Sequence, residues 1–120
     1  MNILVTVNTF FPKLDGVQAV TEYLTLGLIS KGHNVTLITT NVDGCPKEEM
    51  YKGIKIIRTD VYTKYALYHG DKTKYQKLIK KLADENDVLI NICTQNALTD
   101  YLLPILDSIN CKKILHLHGM

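Results

Sequence analysis

The sequence predicts an α/β protein built on a doubly wound, Rossmann-like parallel sheet. Short apolar runs rich in β-branched residues recur along the 120 residues, which is typical of buried strands. Amphipathic stretches with apolar residues three and four positions apart separate most of these runs, which is typical of helices. Strands joined through helices lie parallel because the crossover is right-handed. We therefore expect about five strands, in the order 3-2-1-4-5, within a single domain over residues 1–120.

The amino-terminal part of the chain forms the clearest unit of this pattern. Residues 2–7 predict a buried strand, and residues 34–39 predict a second one. The helix between them is predicted from apolar residues that share one face: Val17, Val20, Leu24 and Leu28. Gly32 is expected to end this helix. Such a unit places the loop of residues 8–16 beyond the carboxyl end of the first strand, where ligands bind in parallel sheets.

The middle of the chain is more polar. Residues 47–53 predict a charged connector, and residues 54–58 predict a third strand that lies nearer to a sheet edge. Residues 60–71 carry a tyrosine at every third position: Tyr62, Tyr65 and Tyr68. One interpretation is a short helix that lays tyrosines on the surface. The other is an aromatic wall for an acceptor sugar or lipid head group, because tyrosine offers a stacking face and a hydroxyl.

The alternation of helices and strands continues to the end of the chain. Residues 72–86 predict a lysine-rich amphipathic helix, and residues 87–92 predict a fourth, buried strand. Residues 97–109 predict a helix that kinks or restarts at Pro104, since proline lacks the amide hydrogen that a helix interior needs. Residues 112–117 predict the fifth strand.

Charge and composition limit the classes of partner. The apolar fraction of 46% and the charged fraction of 22% are ordinary for a globular domain. The net charge is only +2 and Arg58 is the single arginine, so we expect no nucleic-acid partner. The lysines of residues 72–86 are interpreted as a solvated face. The alternative is peripheral contact with anionic lipid head groups at the inner face of the membrane.

Several features of the sequence indicate a cytoplasmic protein. The N-terminus lacks the basic region and cleavage site of a secretory signal, and no apolar run approaches the roughly 18 residues that span a bilayer. Cys45, Cys93 and Cys111 are odd in number and widely spaced, which is typical of free thiols in a reducing compartment. Because no Cys-x-x-Cys pair is present, a structural zinc site is not expected.

Short motifs along the chain match the pattern of one known family. Pro12 is followed by Gly16-Val17 and a helix, and residues 31–35, Lys-Gly-His-Asn-Val, lead into the second strand. Residues 115–119, Leu-His-Leu-His-Gly, end the last strand. In these motifs the chain resembles the N-terminal domain of the retaining family-4 glycosyltransferases of the GT-B class, and the resemblance spans most of its length.

The resemblance implies one half of an enzyme. The whole enzyme would transfer a sugar from a nucleotide-sugar to a hydroxyl of a sugar or lipid-linked acceptor, with retention and without a metal or other cofactor. This chain would supply the acceptor side, and the donor-binding residues would belong to a second domain after Met120. On this interpretation the chain is cut short and is expected to be inactive alone. Apolar surface left uncovered would then favour self-association.

The same resemblance assigns roles to residues of the first loop and the last strand. Gly16 and Val17 would lie beneath the diphosphate of the nucleotide-sugar, and a helix N-terminus suits that charge. His118 would be the catalytic-cleft residue that orients the transferred sugar, with Gly119 beside it. Asp15 replaces the first glycine of the family's Gly-Gly pair. Because a carboxylate repels a diphosphate, we expect Asp15 to cap the helix, the alternative being a hydrogen bond to an acceptor hydroxyl.

Polar residues that follow two of the strands are further candidates for contact with the acceptor. Asn8 follows the first strand, and Gln95 and Asn96 follow the fourth, so all three are expected to face one crevice. His116 and His118 lie two positions apart on one strand face. Because no third ligand can be named beside them, a metal site is not expected, and His116 is interpreted as structural.

Missing motifs exclude other function classes. The chain has no Gly-x-Gly-x-x-Gly, no phosphate-binding loop of the nucleoside-triphosphatase type and no nucleophile on a tight elbow. A dinucleotide-dependent oxidoreductase is therefore disfavoured. Two alternatives stay open beside a glycosyltransferase: a stand-alone Rossmann-like module that binds a nucleotide or sugar, and one half of a GT-B nucleotide-sugar epimerase.

Overall fold

The computed structural model describes residues 1–92 and 96–116. The described strands are β1 (Asn2–Thr6), β2 (Asn34–Thr40), β3 (Glu48–Tyr51), β4 (Ile54–Thr59), β5 (Tyr62–Lys64), β6 (Leu67–His69), β7 (Val88–Ile92) and β8 (Lys112–His116). Six of them form one sheet in the order β3-β4-β2-β1-β7-β8, and β5 pairs with β6 in a separate hairpin. The predicted order is confirmed, because the five strands that the sequence predicts are β4, β2, β1, β7 and β8.

Helices cover both faces of the sheet, as predicted. They are α1 (Gly16–Ser30), α2 (Lys72–Asp84) and α3 (Ala97–Leu102), the last continued by a 3₁₀ helix (Leu103–Ser108). The core cluster on one face joins Leu4 and Ile38 of the sheet to Ile79 of α2 and Leu98 of α3. On the opposite face, the cluster of strand residues packs against the partly buried apolar side chains of α1. The fold is therefore a doubly wound, Rossmann-like sheet.

The charged connector predicted over residues 47–53 is instead a strand. β3 pairs antiparallel with β4, with Tyr51 opposite Ile54, so the sheet gains an edge strand. The two residues between them, Lys52 and Gly53, have left-handed φ angles of 51° and 88° and form a tight turn. The sequence Glu-Glu-Met-Tyr lacks an apolar alternation because an edge strand of this kind exposes much of its surface.

Local signals place both ends of α1 where the sequence predicts them. The Asp15 carboxylate accepts a hydrogen bond from the backbone N–H of Gln18 at 2.7 Å, so Asp15 caps the helix as expected. Beyond the other end, Gly32 has a φ of 90° and donates its N–H to the carbonyl of Ile29 at 2.9 Å. This geometry favours glycine, since side chains rarely adopt that φ.

The predicted buried face of α1 is wrong in one respect. Val20 is 38% exposed, whereas the fully buried positions of the helix are polar: Gln18, Thr21 and Thr25. The hydroxyl of Thr21 donates to the Val17 carbonyl at 2.7 Å, and that of Thr25 donates to the Thr21 carbonyl at 2.8 Å. Because the helix satisfies these hydroxyls itself, it can bury them against the sheet while Val20 stays exposed.

Residues 60–71 form the β5–β6 hairpin and not the short helix that the tyrosine spacing suggests. Tyr65 and Ala66 occupy the turn with left-handed φ angles of 53° and 62°. At the base, Gly70 has a φ of 99°, and a Cβ there would lie 2.5 Å from the Asp60 carbonyl oxygen. The turn lacks the asparagine and glycine that usually signal such hairpins, so the sequence pattern does not reveal it.

The remaining predictions for the carboxyl-terminal elements are confirmed within the described residues. Helix α2 buries Tyr75, whose hydroxyl donates to the Leu98 carbonyl at 2.9 Å, and burial raises the pKa of this phenol. The helix that begins at Ala97 changes to a 3₁₀ helix around Pro104, which is the predicted restart. Among the described residues, no helix has the length and apolar character needed to cross a bilayer.

Candidate functional site

A cleft of about 600 Å³ opens at the edge of the sheet where β1, β2 and β4 end. The segments that line it are the residues directly after β1, the end of β2 and its loop, the end of β4, and β5. Because these three strands are parallel, their carboxyl ends meet at this edge. The cleft therefore lies on the carboxyl side of the sheet, which is the side on which open α/β sheets bind ligands.

Asn8 and Thr40 lie side by side in the cleft. The hydroxyl of Thr40 donates to the Val61 carbonyl at 3.0 Å and lies 3.5 Å from Asn8 Oδ1. The Asn8 backbone is held by β2, because its carbonyl accepts a hydrogen bond from the Thr39 hydroxyl at 3.2 Å. The structure thus places Asn8 in a cleft that could receive a ligand, with its amide nitrogen making no hydrogen bond to a described residue.

The charged side chains of the cleft are of both signs. Asp43 and Asp60 line it together with Lys13 and Lys64, and none of these four groups forms an ion pair with another described residue. Tyr62 adds an aromatic wall, since its ring stacks on the ring of His69 with centroids 4.7 Å apart. The cleft therefore offers hydrogen-bond donors, acceptors and a flat apolar surface, which are the groups that a polyhydroxylated ligand needs.

A buried arginine holds the loop that forms one side of the cleft. Arg58 is 2% exposed and donates through Nη2 to the Phe11 carbonyl at 2.9 Å and through Nη1 to the Pro46 carbonyl at 2.9 Å. Its Nη2 also lies 2.6 Å from the carboxylate of Glu49 on β3. Sequence analysis missed this role, although a lone arginine within an apolar strand was a signal that it needs a buried partner.

Aromatic stacking secures the same loop from the other side. The Phe11 ring stacks on Tyr51 with centroids 4.1 Å apart, and Phe10 meets the same ring edge-on at 6.0 Å. The Tyr51 hydroxyl donates to the Glu22 carboxylate at 2.6 Å, and Lys52 lies 3.4 Å from that carboxylate. The hydrogen bond from Tyr51 is the main cause that lowers the pKa of Glu22, and it raises the pKa of Tyr51.

The hairpin that borders the cleft is docked on α3. The Thr63 hydroxyl accepts a hydrogen bond from the backbone N–H of Ala97 at 2.8 Å. The Tyr68 hydroxyl donates to the Asp100 carboxylate, which raises the pKa of Tyr68, and its ring meets that of Tyr101 edge-on at 5.6 Å. Of the three tyrosines, only Tyr62 lines the cleft, because Tyr68 packs on α3. An aromatic wall for an acceptor at Tyr62 stays a prediction.

A second polar cluster lies between β1 and β7, beside the cleft. The Thr6 hydroxyl donates to Asn91 Oδ1 at 2.7 Å, and Asn91 Nδ2 donates to the Thr99 hydroxyl at 3.0 Å. Asn96 is 7% exposed and its side chain accepts a hydrogen bond from the Thr99 N–H at 3.0 Å. Asn96 caps α3 and is not among the residues that line the cleft with Asn8, so its contact with an acceptor stays a prediction.

The other residues that the sequence assigns to the site lie at its margin or outside the described residues. Asp15, Gly16 and Val17 begin α1 and do not line the cleft; a Cβ at Gly16 would meet no atom within 4 Å, so space is open there. Gln95, His118 and Gly119 lie outside the described residues, as do Cys93 and the end of the predicted fifth strand.

The last described strand ends at the same edge as the cleft. β8 runs parallel to β7, which runs parallel to β1, so all three carboxyl ends share one edge.

Within the described part of the chain, no group of three histidine, cysteine or acidic residues is arranged to hold a metal ion. Cys45 and Cys111 are free thiols, and burial raises the pKa of Cys111.

Comparison with known proteins identifies the fold. No protein-family model matches the chain, and no curated protein sequence matches it. Among solved structures, sucrose-phosphate synthase from Thermosynechococcus elongatus superposes with a TM-score of 0.65 over 98% of this chain, at 13% sequence identity. The chain spans 33% of that protein's length. At this identity the similarity concerns the fold, which is that of one Rossmann-like half of a GT-B architecture.

Proposed function

We propose that this chain is the acceptor-side half of a glycosyltransferase that moves a sugar from a nucleotide-sugar to an acceptor hydroxyl with retention. The proposal rests on the cleft at the carboxyl edge of β1, β2 and β4. The fold that contains this cleft is shared with sucrose-phosphate synthase. The cleft is lined by amide, hydroxyl, carboxylate and ammonium groups, which suits a sugar better than an apolar ligand.

The acceptor is held by residues whose groups match those of a sugar. A hydroxyl both donates and accepts, so the amide of Asn8 and the carboxylates of Asp43 and Asp60 can each bind one. The exposed face of Tyr62, backed by His69, supports the apolar face of a sugar ring. Because Arg58 and Tyr51 hold the loop after β1 on both sides, the Asn8 wall is positioned before the ligand binds.

The donor lies on the other side of the β1 loop in this proposal. Backbone N–H groups at Gly16 and Val17 begin a 15-residue helix, and open space above Gly16 leaves room for a diphosphate. Since Asp15 is engaged in capping Gln18, its charge is partly compensated by the helix N-terminus. His118 and Gly119 complete the proposed site, with His118 orienting the transferred sugar, and Gln95 adds a polar contact.

In this proposal a second domain binds the nucleotide-sugar, and the present chain binds the acceptor without turnover. A module that binds a nucleotide or a sugar and performs no transfer is the second candidate, since the cleft is lined by hydrogen-bonding groups that suit either ligand. The nucleotide-binding form of this module differs from a transferase half in the ligand that the cleft prefers. A transferase half requires recognition of the acceptor, whereas a nucleotide-binding module requires recognition of the nucleotide itself.

Nuclear magnetic resonance of the ¹⁵N-labelled chain tests the proposal. We expect candidate acceptors, namely hexoses, hexose phosphates and disaccharides, to shift the amide signals of Asn8, Thr40 and Tyr62. Thr40→Val and Tyr62→Ala should weaken that binding, whereas Tyr23→Ala, on the exposed side of α1, should not. Binding of a nucleotide in preference to every sugar would favour the module, and sugar shifts confined to residues away from the cleft would contradict both candidates.

A further inference from the structure

We propose that the outward face of helix α1 is a dimer interface, on which a second copy of this chain packs its own α1 in the antiparallel direction. A groove of about 750 Å³ runs along this face, and it shares no lining residue with the cleft described above. The inference is independent of the proposed function, because pairing of two α1 helices needs neither a donor nor an acceptor. It does not depend on where the chain ends.

Helix α1 is poor in charge for a helix at the surface of a protein. Its 15 residues include one charged side chain, that of Glu22, which is already engaged by Tyr51 at 2.6 Å and by Lys52 at 3.4 Å. Helix α2 carries six charged side chains in 13 residues. The exposed positions of α1 are all uncharged: Gly16, Ala19, Val20, Tyr23, Gly27 and Ser30. An outer face of this kind is typical of a helix that another element covers.

Tyr23 is the most exposed large side chain of this helix. It is 85% exposed, and no hydrogen bond or ring contact joins it to another residue within 1–92 and 96–116. Each of the other six tyrosines of the chain has a hydrogen bond or a ring contact. Tyrosine is enriched at protein–protein interfaces, where its ring supplies a large contact area. The ring of Tyr23 is therefore the candidate anchor of the interface.

The face of α1 is complementary to itself. Four exposed residues, each four positions from the next, form one row along the helix and its carboxyl end: Ala19, Tyr23, Gly27 and Lys31. The row alternates small and large side chains. A twofold axis midway between Tyr23 and Gly27 turns a second copy of the row antiparallel. Each Tyr23 then lies opposite Gly27 of the other copy, and each Lys31 lies opposite Ala19.

Gly27 supplies the space that the tyrosine ring needs. A Cβ at this position would meet no atom within 4 Å, so no part of the same chain fills the site. Glycine within a helix is destabilising relative to alanine, and its small size here leaves a hollow beside Leu24 and Leu28. Because the ring and the hollow lie on the same face, one surface provides both halves of the contact.

The antiparallel direction also suits the charges at the ends of the helix. Lys31 would lie beside the amino end of the other α1, where Asp15 precedes Ala19 by one turn. Opposite ends of the two helix dipoles would then be neighbours, which is favourable. The rest of the face is uncharged, so two copies can approach without like-charge repulsion. An anionic bilayer suits this face less well, because such a surface attracts helices that are rich in lysine and arginine.

Sedimentation equilibrium of the 120-residue chain tests the proposal. One pair of helices makes a small interface, so we expect a weak dimer with a dissociation constant on the order of 0.1–1 mM. Tyr23→Ala should weaken dimerisation about tenfold or more, because it removes the central aromatic anchor. Gly27→Glu should have a similar effect by filling the hollow. Tyr65→Asn, at an equally exposed tyrosine whose left-handed φ suits asparagine, should change dimerisation by less than about twofold.

A mixture of two variants tests the antiparallel register. Tyr23→Lys and Gly27→Glu should each dimerise less than the unsubstituted chain. When they are mixed, the introduced ammonium lies opposite the introduced carboxylate, and one native contact between Tyr23 and Gly27 is kept. We expect the mixture to associate about threefold or more strongly than either variant alone. Added salt should weaken the mixed dimer, since it screens the introduced pair, and should leave the native dimer unchanged. Circular dichroism would verify that each variant is folded.

Three outcomes would overturn the proposal. The first is a chain that stays monomeric at about 2 mM, well above the expected dissociation constant. If such a monomer floated with lipid vesicles in a manner that depends on Tyr23, a bilayer would be the occupant of the face. The second is a dimer that survives both Tyr23→Ala and Gly27→Glu, because its interface would then lie elsewhere, for example at β8. The third is a mixture that associates no better than its two components, which would exclude the antiparallel register.

Discussion

The guanidinium of Arg58 lies 2.6 Å from the carboxylate of Glu49 and joins the edge strand β3 to the loop that forms one side of the cleft. Arg58 is buried, whereas Glu49 retains 27% of its side-chain exposure. Among the described residues the Nε of Arg58 has no hydrogen-bond partner, so the ion pair and the two bonds to carbonyls are the contacts that compensate for burying this charge. Removal of the Glu49 carboxylate should therefore lower the free energy of unfolding substantially.

Glu49→Ala should lower the free energy of unfolding by about 3 kcal/mol, because it leaves a buried arginine without its counter-charge. Glu48→Ala is the matched control, since Glu48 belongs to the same strand but pairs with Lys55 at 3.9 Å on the exposed side. We expect it to cost less than about 1 kcal/mol. Urea denaturation of both variants checks this, and equal effects would show that the Arg58 pair contributes no more than a surface ion pair.

Gly70→Ala should destabilise the protein by about 2 kcal/mol or more and loosen the hairpin beside the cleft. The added Cβ would lie 2.5 Å from the Asp60 carbonyl oxygen, at a φ of 99° that side chains rarely adopt. Gly27→Ala is the control, because its Cβ would meet no atom within 4 Å in the middle of α1. It should stabilise the protein by about 0.5–1 kcal/mol. The unfolding temperature of each variant checks this, and a shift in the same direction in both variants would contradict the expectation.

Tyr51→Phe should reduce the dependence of stability on pH in the acid range. The Tyr51 hydroxyl lowers the pKa of Glu22 in the folded protein. A carboxyl with a lowered pKa contributes stability that is present above its unfolded pKa, about 4.3, and is lost as the pH falls through the folded value. The variant should lose about 1 kcal/mol at neutral pH and progressively less in acid.

Tyr23→Phe is the control for that measurement, since Tyr23 is 85% exposed on α1. The free energy of unfolding of Tyr23→Phe should equal that of the unsubstituted protein at every pH. Direct titration of the Glu22 carboxyl by NMR should show a higher pKa in Tyr51→Phe. An unchanged pKa would indicate that Lys52, which lies 3.4 Å from the carboxylate, sets the shift instead.

Asp15→Ala should cost about 1 kcal/mol of stability, whereas Asp15→Asn should cost only a few tenths, because asparagine caps a helix as well as aspartate does. The native carboxylate accepts the Gln18 N–H at 2.7 Å. Chemical denaturation of both variants measures the difference. If the two substitutions were equally harmful, the charge of Asp15 and not its capping geometry would be what the position requires.

The elements that were predictable are those with signals close in sequence. Asp15 and Gly32 mark the two ends of α1, because each makes a hydrogen bond with a residue only three positions away. Pro104 marks the change from α-helix to 3₁₀ helix within its own turn. The order of the parallel strands follows the doubly wound pattern that alternating strands and helices predict, and needs no knowledge of individual contacts. The position of Asn8 at the cleft follows in the same way, from the strand that precedes it.

Contacts between distant residues account for what sequence analysis missed. β3 is a strand because β4 supplies its hydrogen-bond partners and Arg58 its counter-charge, neither of which is visible in Glu-Glu-Met-Tyr. The hairpin of residues 60–71 depends on Gly70 packing against Asp60 and on Tyr68 meeting Asp100, 32 residues away. Local conformational preferences are encoded within a few neighbouring residues. The pairing of an edge strand and the composition of a cleft exist only after remote segments have packed together.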